Sequence, residues 1–298
     1  MSGAIQLGVK LPHTGAAVAS GSVPARAREL EAAGFDSLWV SDHVVLPSVM
    51  ASHYPFAADG RATWPADTPY LESIVVLAAA AAATTRVRLG TAVLVLPQRN
   101  PVLLAKQVAS VAQIAGGRVE LGVGAGWLRE EFDALDAPFD GRGARMVEWI
   151  DVMRSCWTGR PPEFTGAHYY LPPDLFVRPA PPTPIAVYVG GHSHRALHRA
   201  GATGNGWLGQ QSALEFAPEK LAAEVGAVRA AAGAAGRDPG AARIVLRIVD
   251  SAGRADFVAS RLADLAKAGV GEVIVEVDPR DGDAVADHAV LRDAAVSL

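Results

Sequence analysis

The stretch FDSLWVSDHVVLP, Phe35 to Pro47, decides how the rest of the chain is read. Leu38, Trp39 and Val40 are consecutive apolar residues with no polar alternation, the pattern of a short strand covered on both faces in a parallel sheet. Ser41, Asp42 and His43 then arrive together where such a strand leaves the core. Outward from this point the same theme recurs. Strands are predicted over Ile5 to Leu11, Ser37 to Ser41, Val87 to Leu96, Arg118 to Val123, Ile185 to Val189, Gly206 to Gly209, Ile244 to Val249 and Glu272 to Val277. Between them lie Ala-rich segments of helical length: Val23 to Ala33, Leu71 to Ala83, Val102 to Ala115, Arg142 to Trp157, Arg195 to Ala200, Leu214 to Ala235, Ala255 to Ala268 and Ala284 to Asp293. Gly34, Gly116, Gly201 and Gly269 stand at expected helix C-caps, and Asn100-Pro101 marks a helix start. Eight β/α units in 298 residues predict one α/β domain over residues 1–298, a (β/α)8 TIM barrel with insertions at its C-terminal face. A doubly wound sheet is the competing arrangement of the same elements.

Half of the residues are apolar and the net charge is −4 with acids and bases interspersed. This composition supports a large core and lacks the basic patch of a nucleic-acid or membrane-surface binder. Cys156 is the one cysteine, which excludes an internal disulfide framework and fits a core residue in a reducing compartment. The longest apolar run, Ile74 to Ala83, is too short to span a bilayer, and the N-terminus does not resemble a signal segment. A soluble, cytoplasmic protein is expected.

In a (β/α)8 barrel, polar groups at strand ends have a functional address. Asp42 and His43 hold one such position, although a capping Asp beside a loop His would look the same. His13 stands at the end of the first strand, where a lone loop histidine is more often incidental. The run GVGAGW ends a strand with glycines that let a backbone approach a ring or phosphate, and Glu130 and Glu131 beyond it suit a helix N-terminus. A glycine-tight turn is the structural alternative. Gly190 and Gly191 lead into Ser193, His194 and Arg195, where free N–H groups at a helix start can hold an anion. His192, His194 and His198 lack an acidic partner in their segment, so no metal site is expected. Arg247 and Glu276, polar within apolar strands, are read as a structural pair inside the barrel. Two connections, Val44 to Tyr70 and Pro161 to Pro184, are too long for ordinary loops and are expected on the strand-end side.

LWVSDH (38–43), RVRLGTAVLVLPQRNPVLLAKQVASV (86–111), GGRVELGVGAGWLREEF (116–132), VYVGGHS (187–193) and GNGWL (204–208), in this order, resemble the bacterial-luciferase-like superfamily of flavin and deazaflavin oxidoreductases. The first long loop, with PFAADGRATWPADTPYLES (55–73), is similar to a subgroup of the coenzyme F420-dependent branch. The resemblance implies a barrel, usually dimeric, with the cofactor at its C-terminal mouth. It implies that Asp42 contacts the deazaflavin and His43 handles the substrate proton. It also implies a non-proline cis peptide at Ala92-Val93 behind the ring, and a border formed by Ala125, Gly126 and Trp127. Gly190, Gly191, Ser193 and His194 would cradle the phosphate of the cofactor tail. Where a sugar-phosphate dehydrogenase of the branch has a catalytic glutamate, this chain has Trp127; Glu130, one helical turn on, is the candidate substitute. The expected activity is F420-dependent hydride transfer to or from a small organic substrate, with FMN-dependent monooxygenation as the alternative. ELGVGAG alone would also suit a methyltransferase, but three β/α units precede it. A non-catalytic cofactor-binding protein is the remaining reading.

Overall fold

The computed structural model describes residues 5–20, 22–57, 59–62, 64–277 and 284–297. Its strands are β1 (Gln6–Lys10), β2 (Ser37–Val40), β3 (Arg88–Val95), β4 (Val119–Gly124), β5 (Phe164–Thr165), β6 (Tyr170–Leu171), β7 (Ala186–Gly190), β8 (Gly206–Ser212), β9 (Arg243–Val249) and β10 (Glu272–Val275). All except β5 and β6 form a closed barrel in the order β1-β10-β9-β8-β7-β4-β3-β2, with β1 returning to β2 in parallel. This is the (β/α)8 arrangement, and it excludes the doubly wound alternative. It also removes the methyltransferase reading, since the glycine run ends a barrel strand rather than opening a nucleotide-binding sheet.

Each strand sorts its side chains by the period of two. In β2, Leu38 and Val40 pack outward into the large core under the helices, while Trp39 joins Ala92, Tyr188, Leu208, Val245 and Ile274 inside the barrel. Trp39 fits because its neighbours have no side chains. A Cβ on Gly90 would lie 2.3 Å from its ring, and one on Gly8 2.8 Å from its Nε1. Trp39→Ala would leave a cavity at the barrel axis, a change that costs about 3–5 kcal/mol.

The helices are α1 (Ala16–Ser20), α2 (Val23–Ala33), α3 (Ser73–Ala83), α4 (Pro101–Ile114), α5 (Arg129–Ala134), α6 (Arg142–Trp157), α7 (His194–Ala202), α8 (Pro218–Ala234), α9 (Ala255–Ala268) and α10 (Ala284–Val296). Asn100 caps α4 by accepting from Val102 and Leu103 N–H, as expected from its sequence. Gly34 and Gly269 end α2 and α9 in the left-handed conformation. Gly201 is not a cap. It lies inside α7, where a Cβ would meet Val228 O at 2.1 Å, so it is the point at which α7 and α8 touch backbone to backbone.

The second long connection also differs from expectation. Residues 158–185 run from the end of α6 to the start of β7, so they belong to the face opposite the strand ends. There the β5–β6 hairpin is tied to α6 by the Glu148 carboxylate, which accepts from Ala167 and His168 N–H. Cys156 is buried and unpaired. Among the described residues, no helix is long and apolar enough to cross a membrane.

Candidate active site

At the C-terminal mouth, the sequence that ends β2 is locked by its two neighbours. Asp42 is buried; its carboxylate accepts from Ser73 Oγ at 3.1 Å, Arg99 Nη2 at 2.7 Å and Val95 N–H at 2.9 Å. Burial pushes this carboxyl upward, against the pull of the Arg99 guanidinium and the Val95 N–H. Val95 follows the Ala92-Val93 peptide, which is cis. Asp42 therefore ties the end of β2 to α3, β3 and Arg99 through three hydrogen bonds.

His43 is 8 % exposed and is held by Glu131, whose Oε2 lies 3.1 Å from Nδ1. The other oxygen, Oε1, accepts from Val44 N–H at 2.6 Å and Val45 N–H at 3.3 Å. Because the partner of Nδ1 is an acceptor, its hydrogen is assigned there, and Nε2 has no hydrogen bond to another described residue. The ring is walled edge-on by Tyr70 at 5.4 Å and Trp127 at 6.1 Å, with Trp64 tilted at 5.9 Å. Tyr54 completes the wall, 5.1 Å from both Trp64 and Trp127. A general acid/base needs this combination: one nitrogen oriented by a carboxylate, the other open, and a partly dry surround.

Glu130 is placed elsewhere. Its carboxylate accepts from Ala51 and Ser52 N–H and from Ser52 Oγ, at 2.6 to 3.0 Å, and so anchors the first long loop. Burial alone would raise its carboxyl, but these hydrogen bonds hold it below the usual carboxylate range, which suits an anchor and not a proton donor. The carboxylate that meets His43 is one residue on. The sequence named Glu131 only as an acid suited to a helix N-terminus, and it did not single out the loop residues Tyr54, Trp64 and Tyr70. Only the abnormal length of the 44–70 connection pointed to them.

The opposite wall is nearly bare. Gly124 and Gly190 end β4 and β7 on either side of Val93, and a Cβ on them would meet its methyls at 2.7 and 2.9 Å. Ala92 is buried beneath, and half-buried Ala125 packs against the main core. Gly126 turns at φ +82°, with its carbonyl accepting from Arg142 Nε at 2.9 Å. Gly191 adopts φ +111°, and Ser193 caps α7 by accepting from Ala196 N–H. The first-turn N–H groups of His194 and Arg195 are thus at a helix start that cannot satisfy them internally. His192 stands behind: Gln210 N–H donates to its Nε2, so Nδ1–H donates to Glu224 at 2.9 Å. Among the described residues no cluster of His, Cys, Asp or Glu is arranged for a metal ion.

His13, the uncertain histidine of the first strand, is fully buried, with its ring nitrogens 2.7 Å from Leu11 O and 2.9 Å from Ser41 O. It clamps the ends of β1 and β2. An open cleft of about 800 Å3 lies at the other end of the barrel, between α6 and the 181–185 segment. In its lining Arg154 donates to Asn205 Oδ1 and Arg237 to Gly201 O. At the mouth, Ser41 Oγ, Trp64 Nε1 and Arg247 Nε are buried without hydrogen-bond partners among the described residues, as are the Nε atoms of Arg99, Arg199, Arg229 and Arg261.

The chain belongs to the luciferase-like monooxygenase family, whose pattern matches residues 5–289. It is 41% identical over 182 residues to an uncharacterized protein of Mycobacterium tuberculosis, a match spanning 61% of this chain and 62% of the relative. It is 32% identical to the F420-dependent hydroxymycolic acid dehydrogenase of the same organism, over 84% of this chain and 64% of that enzyme. In fold it is similar to an F420-dependent secondary alcohol dehydrogenase solved with an F420-acetone adduct, at TM-score 0.76 and 19% identity over 98% and 99% of the two chains.

Proposed function

We propose that this protein is an F420-dependent oxidoreductase that moves a hydride between the deazaflavin and a small organic substrate, with His43 as the proton-handling group. The observation that carries the reading is the His43–Glu131 pair, buried among aromatic rings at the mouth where Gly124 and Gly190 flank Val93. The relatives named as F420-dependent dehydrogenases support the same reading.

The residues fit a planar cofactor with an anionic tail. Gly124 and Gly190 keep the wall around Val93 flat, and any side chain there would collide with it. Gly191 and the start of α7 offer backbone donors and no Cβ to an anion. When bound, F420 supplies a two-electron hydride carrier.

The chain's own part is proton movement and exclusion of water. Glu131 holds Nδ1–H, so His43 presents Nε2 to a substrate oxygen: protonated, it donates as a carbonyl is reduced; neutral, it accepts as an alcohol is oxidised. Trp64, Tyr70 and Trp127 limit water around that transfer and fix the ring's plane. Ser41 Oγ and Trp64 Nε1 are the unpartnered groups available to orient the substrate.

The test is equilibrium titration with F420 and FMN separately, followed by F420 absorbance with a panel of alcohols and carbonyl compounds. Tight F420 binding with substrate-dependent bleaching or recovery is expected. The family description favours one other reading, flavin-dependent monooxygenation. FMN binding with oxygen consumption, and no F420 affinity, would establish it instead.

A further inference from the structure

Across the mouth from the glycine strip, the last turn of β1, β9 and β10 brings three charges together. Lys10 Nζ lies 3.6 Å from Glu276 Oε1, and Arg247 Nη2 donates to the same oxygen at 3.0 Å. Arg247 Nη1 reaches Ala92 O, the carbonyl of the cis peptide, at 3.3 Å. Glu276 Oε2 is already taken by Asp250 N–H at 3.1 Å. Two cations thus share one oxygen of one carboxylate, leaving a formal excess of one positive charge. Among the described residues Arg247 Nε is buried without a partner, and the Lys10 ammonium pairs with Glu276.

Among these three groups the charge is unmatched, and a half-buried cation is better stabilised where a second anion can meet it. The excess lies on the interior surface of the strands whose neighbour, β2, leads into His43. We propose that Lys10 and Arg247 form a subsite for an anionic oxygen group of the substrate, a carboxylate or a phosphate, so that the enzyme acts on organic acids or phosphate esters. The proposal rests on the function proposed above and adds the substrate class. Arg247 would contribute Nε–H, and Lys10 a mobile point charge.

The setting explains a further property. Desolvation first, and then Arg247, bring the Lys10 ammonium down to about 8, with Glu276 opposing. The other titratable groups around it are His13, Tyr54, Tyr70 and Asp250. Burial holds both tyrosines above their usual value, and it lowers His13. The Lys10 charge is therefore the one expected to be lost between pH 7 and 9, and anion affinity falls as pH rises through that range.

Calorimetric titration with inorganic phosphate and with acetate, on protein with and without bound F420, tests the subsite. Saturable binding of one or both is expected at an affinity on the order of millimolar. Lys10→Met and Arg247→Met each weaken it roughly tenfold or more, since a hydrogen bond to a charged group is lost. Glu276→Gln, which removes the competing carboxylate, strengthens it. The better probe identifies the carboxylate or the phosphate as the recognised group. Absence of saturable binding, or affinities that all three variants leave within about twofold of the wild type, would overturn the subsite. So would equal losses of F420 and anion affinity in Lys10→Met and Arg247→Met, which would assign the cations to the cofactor ring. Failure of the wild type to bind F420 removes the proposed function but not the anion result, which is read on the free protein as well.

Discussion

The interior of the barrel carries charge at both ends, on overlapping strands, in two different ways. At the N-terminal end, Arg88 pairs with Glu120 and Glu272, and Arg243 pairs with the same two carboxylates. Gln6, Ser37 and Trp39 donate or accept around them, and Tyr188 OH accepts from Arg243 at 3.3 Å. Two guanidinium groups balance two carboxylates, and none of these side chains has a buried polar atom without a partner. At the C-terminal end, Lys10, Arg247 and Glu276 stand on β1, β9 and beyond β10 with unequal charge and an unpartnered Nε. A closed and neutral network specifies structure, whereas an open and charged one is available to a ligand.

Matched substitutions can break this contrast. Glu272→Gln removes a fully buried carboxylate from two guanidinium groups that are 21 and 28 % exposed, and should cost about 3–5 kcal/mol. Glu276→Gln, at a carboxylate 21 % exposed, should cost less, about 1 kcal/mol. Urea unfolding midpoints of the two variants measure both. Equal losses would mean that the mouth network is as structural as the floor.

His43→Ala sharpens the same contrast on the functional side. Turnover should fall by about 10² to 10⁴-fold, the usual contribution of a general acid/base, and the unfolding midpoint should fall as well, because Glu131 is left buried without its imidazole. Cofactor affinity should change little, because the imidazole is held by Glu131 and its aromatic neighbours. Full turnover in this variant would move the proton chemistry to Tyr54 or Tyr70.

Gly191→Val acts on the bare wall. The backbone there has φ +111°, and even a Cβ would sit 2.9 Å from that of Ala196, so the cradle must open. F420 affinity should drop on the order of tenfold or more through the lost N–H contacts, with a smaller loss of turnover at saturating cofactor. Unchanged affinity would place the tail elsewhere.

Much of this was legible in the chain because it is set by local pattern. The run Leu38-Trp39-Val40 and the polar triplet after it mark a strand and its exit, and the resemblance of the LGTAV segment located the cis bond at Ala92-Val93. Arg247 and Glu276 could be read as an interior pair because charges in apolar strands need partners, and they are 3.0 Å apart. What stayed hidden depends on rotation and on parity. Glu130 and Glu131 differ by one position, about 100° around a helix, and nothing local says which faces His43. Trp64 and Tyr70 reach the histidine only because the loop folds back onto the end of β1, where Leu71 N–H donates to His13 O. The misplacement of the 161–184 connection was avoidable: it follows a helix, so it had to lie opposite the strand ends.

The smallest expected effects come from those adjacent acids, and they test the rotation directly. In Glu131→Gln the amide keeps one acceptor oxygen, which can still serve Val44 N–H, but its second position becomes an NH2 facing His43 Nδ1–H. Two donors cannot face each other, so the imidazole must move its hydrogen to Nε2 or turn away. Turnover should fall roughly tenfold, the value of one charge-assisted hydrogen bond, and nitrogen NMR of His43 should report the exchanged tautomer. Glu130→Gln retains an acceptor for Ala51 and Ser52 N–H and loses only the charge. Its turnover should change by no more than about twofold, while amide exchange at Ala51 and Ser52 quickens as the loop anchor weakens. If Glu130→Gln instead falls as far as Glu131→Gln with the His43 tautomer intact, the proton passes through Glu130, and the role inferred from the sequence would stand against the hydrogen bonds described above.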